Sequence, residues 1–296
     1  MQRLWLHQRA TERGGTPARI GTAGGWNRKN NQIIFFLIIS WLLPAVTLAA
    51  PVQAQHVKVE LLAETSAVAP GESLWMLLTF QAEQGWHTSW KNPGDTGVVP
   101  TLSWKLPTGW EAREPKFPTP SVIRNGEKIS YGYQGDSALL VELVPPFLIQ
   151  EKQVDINLDA SWVVCSDTCV PGEGEFSLTL PVDRFAAVDL KYKKLFAQTR
   201  FKLPLTMEQE GIYQVEGDSI LVDLPARTLP RKVSSIFIAP GNVAQAADVP
   251  EFGYEAKRLQ FRLKRHTDLI SPPAQIEVVL ELAGQGWSVP ARLKPL

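Results

Sequence analysis

From Val154 to Trp162 apolar and polar residues alternate without a break: Val154, Ile156, Leu158, Ala160 and Trp162 share one parity, Asp155, Asn157, Asp159 and Ser161 the other. That is the period-two signature of a half-buried strand. The same grammar resumes downstream, where Phe176, Leu178 and Leu180 alternate with Glu175, Ser177 and Thr179. A three-residue loop, Ser166-Asp167-Thr168, would join the two runs as a hairpin with Cys165 opposite Cys169, Leu158 opposite Phe176 and Ile156 opposite Leu178. The apolar faces then match, and both sulfurs fall on the other face, close enough for a cross-strand disulfide. Val170-Pro171-Gly172 is where a bulge would shift this count.

Similar short runs recur along the chain. Val57 to Leu62, Leu74 to Phe80, Thr101 to Leu106 and Ala138 to Val144 read as strands, separated by turn signals such as Ala69-Pro70-Gly71 and Asn92-Pro93-Gly94-Asp95. This predicts an antiparallel sandwich over residues 56–182. Trp86, Trp90, Trp104, Trp110 and Trp162 would fill its core, since each ring needs burial and has only one N–H to satisfy. Residues 183–200 place Phe185, Val188, Tyr192, Leu195 and Phe196 near helical spacing, which predicts a short helical connector. Strand patterning returns at Ser219 to Leu224, Val233 to Ala239, Leu259 to Lys264, Ile276 to Leu282 and Trp287 to Leu293, giving a second, cysteine-free sandwich over 201–296. Gly241 to Pro250 reads as a loop, and Lys257, Arg258, Arg262, Lys264 and Arg265 as a solvated basic strand face.

Residues 1–54 follow different rules. Arg3, Arg9, Arg13, Arg19, Arg28 and Lys29 face a single acid, Glu12, within the first 32 residues. The apolar run Ile33 to Leu43 follows, and Val52-Gln53-Ala54 offers a small-residue cleavage site before Gln55. This reads as a basic leader and signal peptide, with an uncleaved inner-membrane anchor facing the periplasm as the alternative. Export would carry the chain into an oxidising compartment, in keeping with two closely spaced cysteines. With 30 basic and 30 acidic residues the formal charge is zero, which gives no electrostatic reason to bind nucleic acid.

The chemistry available is that of Cys165 and Cys169, the only two cysteines in 296 residues. A disulfide closing so short a loop removes about 2 kcal/mol of unfolded-state entropy, which a domain of this size does not need, although a hairpin staple remains the structural alternative. Zinc is disfavoured, because a closed site needs four ligands and His56, His87 and His266 are scattered. The spacing is Cys-x3-Cys on strands, without the helix N-terminus that activates a thioredoxin thiol, and Asp167, Glu173 and Glu175 are the nearest charges. Such a pair suits a relay: a disulfide target for a stronger thiolate. His87, in Gly85-Trp86-His87-Thr88, is able in principle to pass a proton to a leaving thiol, against a default of hydrogen bonding within a turn. Tyr131 and Tyr133, between Gly132 and Gly135, are candidates for shielding or orienting the disulfide, with Trp162 and Pro171 as further supports.

Four motifs, VVCSDTCVPGEGEFSLTLPV, GWHTSWKNPGDTG at 85–97, TLSWKLPTGWE at 101–111 and YGYQG at 131–135, closely resemble the N-terminal periplasmic region of the ScsB branch of the DsbD family of thiol-disulfide interchange proteins. The likeness starts near residue 56, is specific in the first half and looser in the second. It implies immunoglobulin-like domains, and hence an all-β chain of two immunoglobulin-like sandwiches joined by a short helix. It also implies redox-active Cys165 and Cys169, no cofactor, a membrane-embedded thiol reductase as electron donor, and periplasmic thioredoxin-like proteins as acceptors. Cys169-Val170-Pro171 matches the DsbD cysteine that forms mixed disulfides, and Phe117 to Lys128 holds by order the place of the loop that covers the DsbD disulfide. Family members continue into a multi-helix membrane domain, whereas beyond residue 50 this chain has no apolar run near 18 residues. Its electrons would then come from a separate membrane protein, unless the chain is a split or truncated gene product or the domain is kept for docking without electron flow. The ScsB name also suggests copper tolerance, but Met76 and Met207 are not near the cysteines in sequence, so thiolate capture of Cu(I) is a weaker reading. Paired sandwiches that only bind a partner are the remaining alternative.

Overall fold

The computed structural model describes residues 49–226, 233–246, 252–255 and 257–295. The expected leader, apolar run and start of the signal segment lie outside these residues, as do parts of the 241–250 loop. Among the described residues the fold is β-sandwich with one helix, and no helix is long and apolar enough to cross a membrane.

The first half comprises β1 (Val52–Ala54), β2 (Val57–Ala63), β3 (Leu74–Ala82), β4 (His87–Gly94), β5 (Thr101–Lys105), β6 (Glu111–Ala112), β7 (Ser121–Asn125), β8 (Lys128–Gln134), β9 (Asp136–Val144), β10 (Gln153–Cys165) and β11 (Cys169–Pro181). One sheet runs β1-β2-β3-β9-β6 and the other β11-β10-β4-β8-β7, with β5 also paired to β10. Their inner faces meet in one core, where Leu61, Met76, Leu78, Val141, Ile156, Leu158 and Phe176 are all but inaccessible to solvent. Of the five tryptophans expected inside, Trp90 and Trp162 are fully buried, while Trp86, Trp104 and Trp110 are partly buried against the same cluster.

The connector departs from expectation. Its helix, α1 (Lys193–Lys202), omits the first ten residues proposed for it. The Asp183 and Asp189 carboxylates accept hydrogen bonds from the backbone N–H groups of Phe185 and Lys191, local turns that compete with helical bonding. Phe185 and Val188 are therefore exposed, and only the Tyr192 and Phe196 end of the apolar stripe is buried, against Leu62, Leu77, Ala138 and Leu140 on the outer face of the first sheet. Arg200 near the helix end donates to both carboxylate oxygens of Glu64, which ties α1 to the segment after β2.

The second half holds β12 (Leu205–Thr206), β13 (Gly211–Glu216), β14 (Ser219–Pro225), β15 (Ser235–Ala239), β16 (Phe252–Glu255), β17 (Arg258–Lys264), β18 (Gln275–Leu282) and β19 (Gln285–Leu293). They form one hydrogen-bonded path, β15-β18-β19-β13-β14-β17-β16, with β12 beside β19, around a core of residues such as Ile220, Leu259, Val278 and Val289. Most pairs are antiparallel, but β12 and β13 both run parallel to β19. On the basic strand face, Arg258 of β17 pairs with Asp223 of β14 and Arg262 lies 3.9 Å from the Glu216 carboxylate.

The two halves share apolar packing. β15 is apolar on both faces: Ile236 and Ile238 point into the second core, whereas Phe237 and Ala239 join the first. The Phe237 ring meets Trp90 edge-on at 5.8 Å between centroids and Tyr131 at 5.1 Å. Beside them the Asn92 amide donates to the Ile238 carbonyl over 2.7 Å, and Lys91 pairs with Glu277.

Candidate functional site

The hairpin of β10 and β11 keeps one register over its whole length: Cys165 opposite Cys169, Leu158 opposite Phe176, Ile156 opposite Leu178. No bulge interrupts it, for Pro171 pairs with Val163 and Gly172 with Trp162. Gly172 has a packing reason to be glycine, since a Cβ there would sit 2.5 Å from Trp162 Nε1. The two cysteines are disulfide-bonded, with Cα atoms 4.1 Å apart.

Their environments differ sharply. Cys165 ends β10, which has β11 on one side and β4 on the other, and it is 1 % exposed. Cys169 begins β11, the terminal strand of its sheet, and is exposed. A thiolate approaching from solvent therefore meets the Cys169 residue first. Edge position produces this asymmetry; Pro171 contributes by suiting an edge, not by loosening the ladder.

The strand on the inner side of Cys165 supplies His87. It stands directly across from Cys165 in the β4–β10 ladder, so both side chains project to the same face, and His87 pairs with Gln134 of β8 on its other side. His87 lies within a strand rather than a turn and is 5 % exposed; its Nε2 is buried and has no hydrogen-bond partner among the described residues. Burial lowers its pKa, so the ring is neutral near pH 7.

The other proposed supports lie elsewhere. Tyr133 pairs with Thr88, and Thr88 with Val164, which puts Tyr133 on the apolar face, away from the sulfurs. Its hydroxyl donates to the Pro118 carbonyl over 2.7 Å, and full burial pushes its pKa well up. Tyr131, of the same parity, packs on Phe237. Trp162 belongs to the core, edge-on to Phe80, with its Nε1 lacking an acceptor among the described residues. Gly132, between the two tyrosines, admits the Thr88 carbonyl, which would lie 2.0 Å from an added Cβ.

One contact was not visible in the sequence. The Asn125 amide, at the tip of the β7–β8 hairpin, donates to the Ser166 carbonyl at 3.1 Å and to the Asp167 carboxylate at 3.2 Å. The segment Phe117 to Lys128 thus reaches the loop that closes the disulfide. Asparagine at a hairpin turn is an ordinary signal, and nothing local announces what its side chain will touch. Met76 and Met207 are buried in separate cores, and no group of three or more His, Cys, Asp or Glu suited to a metal occurs among the described residues.

The family model described as thiol:disulfide interchange protein DsbD, N-terminal, matches residues 54–181, a span that closes with the disulfide hairpin. Residues 54–181 are a DsbD N-terminal domain. Among solved structures, the N-terminal periplasmic domain of ScsB from Proteus mirabilis superposes with a TM-score of 0.62 at 16% identity, covering 83% of this chain and 98% of that one. That likeness extends the shared fold beyond the DsbD N-terminal domain into the second sandwich. The yeast GGA1 GAE domain, at 11% identity, covers 44% of this chain and 97% of its own with a TM-score of 0.26, too low to carry an argument. No curated protein matches the chain. A DsbD N-terminal domain with its cysteine pair joined is a thiol-disulfide interchange module.

Proposed function

We propose that the chain works in the periplasm as a relay: its Cys165–Cys169 disulfide accepts electrons from a membrane-embedded thiol reductase and the resulting dithiol reduces thioredoxin-like proteins. The observation that carries this reading is the unequal exposure of a bonded pair within a DsbD N-terminal domain, one cysteine on an open sheet edge and the other 1 % exposed behind it. Attack on Cys169 Sγ forms a mixed disulfide there and expels Cys165 as the leaving thiolate; in the opposite direction Cys165 closes the pair again and releases the partner. Asn125 holds the β7–β8 hairpin against the loop until a partner displaces it. Substrate specificity then lies in the surface around Cys169.

The test is trapping. Cys165→Ser, with Cys169 free, is expected to accumulate a mixed disulfide with a thioredoxin-like partner on non-reducing gels, and Cys169→Ser far less. Equal trapping by both variants would remove Cys169 from this role. No trapping by either, with a wild-type pair whose reduction potential falls below about −300 mV, would leave the disulfide as a structural staple.

A further inference from the structure

His87, Cys165 and Cys169 form a row across three adjacent strands on one face of the sheet. Directly opposed residues in an antiparallel pair keep their Cβ atoms about 4.5–5.5 Å apart, within reach of an imidazole ring and a sulfur. The row is ordered: the exposed sulfur, the buried sulfur, then the buried ring. Burial at position 165 favours the neutral thiol over the thiolate. Yet the relay needs that sulfur as a thiolate each time the pair closes. Hydroxide from bulk solvent is a poor source of this step for a residue 1 % exposed.

We propose that His87 is the base that takes the proton of the Cys165 thiol when the reduced pair closes, an assignment that rests on the exchange reading above. With Cys169 Sγ joined to a partner sulfur, Cys165 Sγ–H gives its proton to His87 Nε2. The thiolate then attacks Cys169 Sγ, the Cys165–Cys169 bond forms, and the bond from Cys169 to the partner breaks. The partner sulfur leaves with the electron pair as a thiolate, and the imidazolium returns its proton to solvent or to that thiolate. Two electrons pass from the dithiol to the partner and nothing else is oxidised or reduced. In the opposite direction the imidazolium protonates Cys165 as it leaves.

Two features of His87 fit this role beyond its place in the ladder. Nε2 is buried with no partner among the described residues, a costly state for a structural histidine and the one required of a free base. Burial is also the sole cause lowering its pKa, so the ring is unprotonated and ready to accept. The charged groups on the elements around it, Asp167 after β10, Arg124 on β7, Glu127 and Lys128 at the β7–β8 turn, and Asp136 on β9, are all exposed and do not contribute to that shift.

Reduced full-length chain treated with one equivalent of dithiobis(nitrobenzoate) should release thionitrobenzoate in two phases, attack by Cys169 and then closure by Cys165. In His87→Asn the second phase is expected to slow about 100-fold at pH 7 while the first changes less than about twofold, and the gap should narrow as pH rises and hydroxide takes over as the base. In the wild type, which removes any concern about folding of the variant, the second phase should lose rate as pH falls through an inflection below 6.5. A second phase within about threefold of wild type, both phases slowed alike, a gap that persists at high pH, or a wild-type profile with only a thiol inflection would each overturn the assignment to His87. These outcomes leave the exchange reading standing. Failure of the mixed disulfide to form at all would defeat both.

Discussion

Phe237 belongs by sequence to the second sandwich and by packing to the first. Its ring is 1 % exposed, edge-on to Trp90 and Tyr131. Truncation to alanine removes the ring and leaves a cavity that cannot readily collapse, because Trp90 and Tyr131 are held by their strands. Burial lost plus cavity puts the cost at about 3–5 kcal/mol, of which the two aromatic contacts supply roughly 0.5–1.5 kcal/mol each. With a urea m-value of about 3 kcal/mol/M, the midpoint for Phe237→Ala should fall by more than about 1 M. Tryptophan fluorescence reads the first half mainly, through Trp90 and Trp162. Ile238→Ala, one residue along but on the other face of β15, is the control: it opens the second core, so the Trp90 environment should persist to higher urea than in Phe237→Ala. A loss below about 1 kcal/mol for Phe237→Ala would refute the shared core, as would an unchanged transition in the first half. The same reasoning predicts that a fragment ending at residue 200 folds with lower stability, having exposed Trp90 and Tyr131.

Three further outcomes follow from single contacts. Asn125→Ala removes the hydrogen bonds to Ser166 and Asp167, worth about 1 kcal/mol at an exposed site, so dithiothreitol should reduce the disulfide about fivefold faster, with the fold unchanged by circular dichroism; an unaltered rate would mean the hairpin tip does not guard the pair. Gly132→Ala forces a Cβ to within 2.0 Å of the Thr88 carbonyl, a backbone atom unable to yield, and should cost about 3 kcal/mol in thermal or urea unfolding. Because the folded-state pKa of His87 is lowered from 6.5, the unfolded chain takes up a proton there first; wild-type stability should drop as pH falls below about 6.5, by at most about 1.4 kcal/mol per pH unit, and His87→Asn should lack that part of the slope.

The hairpin was legible because everything that fixes it is local: an unbroken alternation on each strand, a short loop and two cysteines that agree with the register. His87 was a candidate from its motif alone, but its place was not legible, since β4 and β10 are distant in the chain and only their pairing sets it across from Cys165. The tyrosines misled for a related reason. Their parity relative to the sulfurs depends on the ladder from β8 through β4 to β10, and nothing in YGYQG reveals the register that these distant strands adopt. The run Ile236-Phe237-Ile238-Ala239 reads as a strand, but a continuous apolar run does not say which core each face serves. At the connector, spacing suggested helix while Asp183 and Asp189 favoured turns, and the turns prevailed over its first half.

An open sheet edge is ordinarily a hazard, because its unpaired backbone groups invite another strand to add on. Here the end of β11 that carries Cys169 is such an edge, and its composition is hostile to strand addition. Pro171 has no N–H to offer, Gly172 and Gly174 give an incoming strand no side chains to pack against, and Glu173 and Glu175 would have to be stripped of water. The surface that must admit a partner sulfur is thereby kept from polymerising through it, so the disulfide can stay reachable without the chain becoming the seed of an aggregate.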